Sequence, residues 1–233
     1  MTANNEEEFR YPFEARCAEL LREIGKAPEL DVHVAQLEEI IALFEDAESV
    51  FEELAEDDGL PLSRQIQDCF FRYGSVDAAW RYRRPETALV GEFKIRHILS
   101  AIGNMRMTRF WKGEDDVERA LYKDLRIIDD NPQTGSGRMS LLRATPGAAN
   151  PEIWFFDMRQ GAIPMELDYP AYLETVMVTK GVIGWQYLYC APELCGEGFF
   201  PLVEGLTEML DVFPSLFPAH DYTDLRARLE ERL

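Results

Sequence analysis

Apolar residues at the start of the chain recur at three- and four-residue steps. Phe9, Phe13, Cys17, Leu20, Leu21 and Ile24 share one face, which predicts a helix over residues 6–25, ended by Gly25 and Pro28. Asp31 then stands where an N-cap belongs. Val34, Leu37, Ile40, Ile41, Phe44, Phe51 and Leu54 follow as a second stripe. This predicts one long helix to Glu56, closed by Gly59 and about 40 Å long at 1.5 Å per residue. Leu60 and Pro61 open a third helix carrying Leu62, Ile66, Cys69, Phe70 and Tyr73, and Gly74 closes it. From Ala79 the chain turns basic and partly extended. Residues 92–102 are predicted as helix, with Phe93, Ile95, Ile98 and Leu99 inward.

The pattern changes in the second half. A short helix is predicted over 114–123. Apolar runs at 125–128, 139–144 and 153–158 follow, separated by a polar loop at 131–137 and a proline turn at 146–151. Three such runs joined by turns predict an antiparallel meander. Arg159, Gln160 and Gly161 make a tight turn, and 164–167 reads as another extended piece. Asp168 then caps a helix over 169–180, with Pro170 in its first turn and Tyr172, Leu173, Val176 and Met177 inward. Lys180 and Gly181 end it. The aromatic run 184–189 demands burial. Helices over 202–213 and 221–233 complete the chain, anchored by Phe213, Leu216 and Phe217. Helices, then strands, then helices predict an α+β fold: a small, mostly antiparallel sheet flanked by helices.

Composition narrows the function classes. The chain has 233 residues, 46% of them hydrophobic and 12% aromatic, enough for one sizeable core. No apolar run approaches the ~18 residues of a membrane span. Residues 1–8 are polar and acidic without an apolar stretch, so a cytoplasmic protein without a secretory signal is expected. The four cysteines, Cys17, Cys69, Cys190 and Cys195, form no paired C-x-x-C, and reduced thiols are expected. His33, His97 and His220 are scattered, and a zinc site at Cys190 and Cys195 would need two more ligands.

Charge is informative in its distribution. The net charge is −19. Residues 1–60 carry 18 acids against 4 bases, whereas residues 61–110 carry 4 acids against 9 bases. Nucleic acid is therefore a poor ligand, because phosphate binding needs cations to displace counterions. Within the predicted long helix an acidic pair repeats every seven residues: Glu38–Glu39, Glu45–Asp46 and Glu52–Glu53. Such a face is either a solvated exterior or a negative rail that steers a basic partner. The basic residues Arg81, Arg83, Arg84, Lys94, Arg96, Arg106 and Arg109 are expected to face acids of the same chain.

No arrangement for catalysis emerges from the sequence. There is no G-x-S-x-G and no H-E-x-x-H, and the loop Thr134, Gly135, Ser136, Gly137 lacks the lysine and following helix of a phosphate cradle. Glu114, Asp115 and Asp116, or Asp129 and Asp130, could hold a divalent cation, but solvated acids beside turns are routine. No cofactor and no metal are expected.

Two segments together resemble the SUKH superfamily, the Smi/Knr-like α+β proteins widespread as bacterial toxin-immunity proteins. One is 47–74, an acidic helix followed by Leu60–Pro61 at the start of a second helix and by Gly74 as a turn. The other runs from Trp154 and Phe156 through Tyr172 and Leu173 to Gly184, Trp185, Gln186 and Tyr187. The resemblance covers residues 47–190, with 1–46 and 191–233 as helical extensions at either end. The basic stretch 80–123 departs from the family's pattern. The resemblance implies a non-catalytic protein that neutralises a basic toxin, possibly a nuclease, through the acids Glu38, Glu39, Glu45, Asp46, Glu52, Glu53, Glu114, Asp115 and Asp116. Two alternatives are an adaptor or regulatory scaffold of the same fold and a carboxylate-dependent hydrolase.

Overall fold

The run Asp31, Val32, His33, Val34 alternates polar with β-branched residues, and in three dimensions that period prevails over the helical one. In the computed structural model, which describes residues 9–42 and 46–233, it lies in a strand, β1 (Leu30–Leu37). The single helix expected over 31–56 is thus corrected. Val34, Leu37, Ile40 and Ile41 fit the helical period while Leu30, Val32 and Val34 fit that of a strand, and pairing with a neighbouring strand settles the choice. β1 runs antiparallel to β2 (Ser75–Tyr82), with a bulge between Val32 and Val34, and β2 runs antiparallel to β3 (Val90–Arg96). The helix expected over 92–102 is corrected in the same way. Its first half is β3, where Glu92, Lys94 and Arg96 alternate with Gly91, Phe93 and Ile95. His97 then caps α4 (Ile98–Asn104).

The second sheet follows the expected meander, and the extended piece expected over 164–167 is corrected to a fourth strand that begins at Gly161. β4 (Leu125–Asp130), β5 (Arg138–Arg143), β6 (Ile153–Asp157) and β7 (Gly161–Pro164) pair antiparallel in that order. Its two faces are both covered. Ile128, Leu142 and Phe155 join the main core, while Ile127, Leu141 and Phe156 join a smaller cluster with Met107 and Tyr122. This explains the largely apolar make-up of these strands, which are buried on both sides.

Helices surround the sheets. α1 (Pro12–Lys26) buries Phe13, Cys17, Leu20 and Ile24. α2 (Ala47–Glu56) buries Val50, Phe51 and Leu54. The helix expected over 60–74 shrinks to α3 (Arg64–Gln67). α4 (Ile98–Asn104) and α5 (Asp116–Asp124) precede β4. α6 (Tyr169–Thr179) has the expected Asp168 cap, whose carboxylate accepts the Ala171 N–H at 2.8 Å. The aromatic run forms a buried 3-10 turn, Trp185–Tyr189. A short α7 (Gly196–Phe199) leads to α8 (Val203–Leu216) and α9 (Thr223–Glu231). Phe13 and Leu20 from α1, and Phe213 and Leu225 from α8 and α9, share one core with Trp80 and Tyr172. The expected divisions after 46 and 190 therefore fall within a continuous packing, and β1 from the first segment is a strand of the first sheet.

Gly91 shows how closely the layers approach. It lies opposite Trp80 in the register of β2 and β3. A Cβ there would sit 2.3 Å from the indole ring. The absent side chain lets Trp80 lie across β3 and donate its indole N–H to the Lys180 carbonyl at 2.9 Å, tying the first sheet to the end of α6. Gly91→Ala is expected to displace that ring and lower stability by roughly 1–3 kcal/mol. Urea unfolding followed by tryptophan fluorescence measures it, and an unchanged midpoint would show that the ring can move freely.

Candidate protein-binding surface

Of the nine acids expected to meet a partner, the eight that the structure describes are spread over separate elements. Glu38 follows β1 and forms an ion pair with Lys94, which also holds Asp77 at 2.9 Å. The Lys94 contact is the largest cause holding the Glu38 carboxyl below its usual range. Glu39 is exposed, and Glu45 lies outside the described residues. Asp46 is the N-cap of α2. Its carboxylate accepts the Ser49 N–H at 3.0 Å, the main reason its pKa is lowered, and lies 3.4 Å from Arg10. Glu52 and Glu53 point outward from α2. Glu114, Asp115 and Asp116 stand at the start of α5, which packs Tyr122 into the smaller cluster rather than the main core. Asp115 caps α5 through the Glu118 N–H at 2.8 Å, and Asp116 pairs with Arg119 at 2.8 Å. Among the described residues these acids form no continuous rail.

What remains is the outer face of α2. Glu48, Glu52 and Glu56 line up at four-residue intervals, with Glu53 and Asp57 beside them, all exposed. None of the five forms an ion pair among the described residues, and the last turn contains no base. Negative side chains near a helix C-terminus oppose its dipole, and like charges four residues apart repel, at some tenths of a kcal/mol each. Burial of Val50, Phe51 and Leu54 together with the Asp46 cap must therefore hold this helix. The arrangement is one that an external cation would relieve.

A groove of roughly 780 Å³ adjoins this face where α1, α2 and α3 converge. Tyr11 and Phe70 lie edge to face in its lining, with ring centroids 4.7 Å apart. Asp46, Glu48 and Asp68 supply acids, against Arg64, which Asp68 already holds at 2.9 Å. An aromatic lining with an anionic rim suits the aliphatic stem and charged head of an arginine or lysine side chain.

Comparisons with protein-family models, curated proteins and solved structures return no match.

The remaining reactive groups are engaged inside the fold. The amides of Gln133 and Thr134 both point to the Glu92 carboxylate, the latter at 2.8 Å, so the glycine loop at 134–137 is organised around an internal acid. Lys180 is fully buried and donates to Glu23 and to the Met177 carbonyl, with His220 Nε2 at 3.0 Å. Burial lowers its pKa, while Glu23 acts in the opposite direction. Asp157 accepts from Arg138 at 2.7 Å and from the Tyr187 hydroxyl at 3.0 Å. Glu14 is buried on α1 and receives two side-chain nitrogens of Arg72. No sequence motif signals these acids, because each partner lies far along the chain. Among the described residues no three His, Cys, Asp or Glu side chains are placed to hold a metal ion.

Burial raises the pKa of each cysteine, that of Cys69 to about 11. All four thiols are free, and Cys69 alone is only partly buried. A thiolate is the reactive form. At pH 7 a colorimetric disulfide reagent is thus expected to modify Cys69 slowly in the folded protein and all four thiols after denaturation. Rapid release of more than one equivalent from the native state would contradict this packing.

Proposed function

We propose that this chain is a non-catalytic binding protein whose partner is a basic protein, and that it acts as an immunity protein neutralising a toxin inside the cell that makes it. The single observation carrying this reading is the outer face of α2: five exposed carboxylates without an ion-pair partner among the described residues, next to an aromatic-lined anionic groove. A nuclease must carry cations to hold phosphate, and an acidic protein competes for that surface and is steered onto it. The resemblance of residues 47–190 to SUKH proteins points the same way, and α2 lies within that segment. No helix among the described residues is long and apolar enough to cross a membrane.

The acids at 114–116 are a secondary contact in this scheme, since two of the three are already used for capping and pairing within α5. Glu38 is excluded from the contact surface, because Lys94 neutralises it.

The test is co-expression with the product of the adjacent open reading frame, followed by stopped-flow association of the purified pair. Wild type is expected to form a complex. A variant with Glu48, Glu52, Glu53 and Glu56 all changed to Lys is expected to associate at least about tenfold more slowly at low salt. The difference should shrink near 1 M salt, where the Debye length falls to about 3 Å. Equal rates for the two proteins at low salt would remove α2 from the interface, and absence of any complex would remove the reading.

A further inference from the structure

The facing edges of the two sheets, β3 and β4, lie side by side without a backbone ladder and are joined through side chains. At the centre of this seam is Asp129, buried on β4 beside the bulge that separates the Ile127–Leu141 and Asp129–Ser140 pairs. Its Oδ1 accepts the Lys94 N–H of β3 at 2.7 Å, and its Oδ2 lies 2.6 Å from the Tyr172 hydroxyl of α6.

No cation pairs with Asp129 among the described residues. The Lys94 ammonium is held by Asp77 and Glu38, and Arg96 is held by Asp130 at 2.7 Å. The other titratable neighbours are unhelpful to a negative charge. Asp130 on β4 repels it, Glu92 on β3 is itself an acid bound to loop amides, and Tyr169 and Tyr172 on α6 are weak acids. Ser140 on β5 and Gln186 in the 3-10 turn are neutral. Ionised, Asp129 would be a buried charge with two hydrogen bonds and no counter-ion, an expensive state.

A second observation bears on where the proton sits. Ser140 and Gln186 act on Tyr172 as donors towards its hydroxyl oxygen, and Gln186 Nε2 lies 3.4 Å from Ser140 Oγ. Gln186 Oε1, also buried, accepts no hydrogen bond. A proton on Asp129 reverses the chain of donors. Asp129 then donates to the Tyr172 oxygen across the same 2.6 Å contact, and the tyrosine O–H turns from the carboxyl towards Ser140.

We propose that a proton carried by Asp129 closes the seam between the two sheets, and that losing it as the medium rises past neutrality loosens β3 from β4. Burial is the main cause raising the Asp129 carboxyl to about 7, against the opposing hydrogen bonds from Tyr172 and the Lys94 amide. The folded pKa exceeds the unfolded value of about 3.9. The stabilisation is therefore complete below about pH 4 and is lost as pH climbs to about 7. His97 works in the opposite sense. Its Nδ1 accepts the Leu99 N–H at 3.2 Å, and burial depresses its pKa to about 3, so its contribution is present above about pH 6.5 and is lost on acidification. The wild-type profile thus sums two opposed slopes.

Asp129→Asn separates them, because an asparagine can keep the Lys94 N–H as donor and supply its own N–H to Tyr172. The ratio of the unfolding constants of wild type and Asp129→Asn, from urea titrations, is expected to change by up to about tenfold per pH unit between about pH 4 and 7 and then level off. The protection factor of the Lys94 amide should fall through neutrality in wild type and stay constant in the variant. Should Asp129→Asn fail to fold, infrared titration of the wild type decides: a buried carboxylic-acid carbonyl band should be present near pH 5 and disappear through about pH 7. A pH-independent ratio, or absence of that band at pH 5, overturns the proposal.

Discussion

A strand at the edge of a sheet has backbone groups that no neighbouring strand pairs, and the outer edge of β3 has these in the interior of the molecule. They are satisfied one at a time. The Glu92 N–H reaches the Gly181 carbonyl at 2.9 Å, the Glu92 carbonyl receives the Asn131 side chain at 2.8 Å, and the Lys94 N–H reaches Asp129 at 2.7 Å. A buried backbone donor left unpaired costs about 1–3 kcal/mol, so these bonds are conditions of the fold. The rest of the structure follows from them. Asp129 can reach Lys94 only because β4 bulges, and Gly181 can reach Glu92 only because α6 ends with Lys180 and Gly181 in left-handed conformations, φ 52° and 70°.

The same junction fixes α6 and the aromatic turn after it. Tyr172 is held by Asp129 below and by Trp185 beside it, with ring centroids 5.2 Å apart. Trp80 from the first sheet holds the Lys180 carbonyl, while the Lys180 ammonium holds Glu23 of α1 and lies 4.9 Å from the ring centre of Phe217. One residue thus links α1, α6, the first sheet and the C-terminal helices. A fully buried lysine is tolerable here because every neighbour supplies an acceptor or a π-face.

The second sheet was legible in the sequence for a physical reason. Its strands are buried on both faces and punctuated by Asn131 to Gly137, the proline turn and Gly161, so apolar runs and breaks coincide with strands and turns. The first sheet was hidden because β1 and β3 alternate polar with apolar residues while also offering apolar residues three and four apart. Only pairing with β2, whose residues lie 39 to 52 positions from their partners in β1 and 9 to 21 from those in β3, resolves that ambiguity. Glu92, Asp129, Asp157 and Glu14 were illegible as structural groups for the same reason: a carboxylate reads as surface until its partner is known. The acidic surface was legible in part. Glu52 and Glu53 are exposed as expected, but their continuity with Glu38 depended on a helix that does not exist.

This division gives the net charge of −19 a different meaning from the one composition suggests. Six of the acids are matched within the chain: Glu14 with Arg72, Glu23 with Lys180, Glu38 and Asp77 with Lys94, Asp130 with Arg96, Asp157 with Arg138. The basic stretch between residues 61 and 110 contributes Arg72, Lys94 and Arg96 to that matching and so leaves fewer cations for the surface. Negative charge that is cancelled inside cannot attract a partner from a distance, because fields from closely paired charges fall off steeply. The five carboxylates of α2 are different in kind. They are outward, uncompensated among the described residues, and carried on a helix that their mutual repulsion weakens. A surface that lowers the stability of its own helix makes physical sense when something else supplies the missing positive charge.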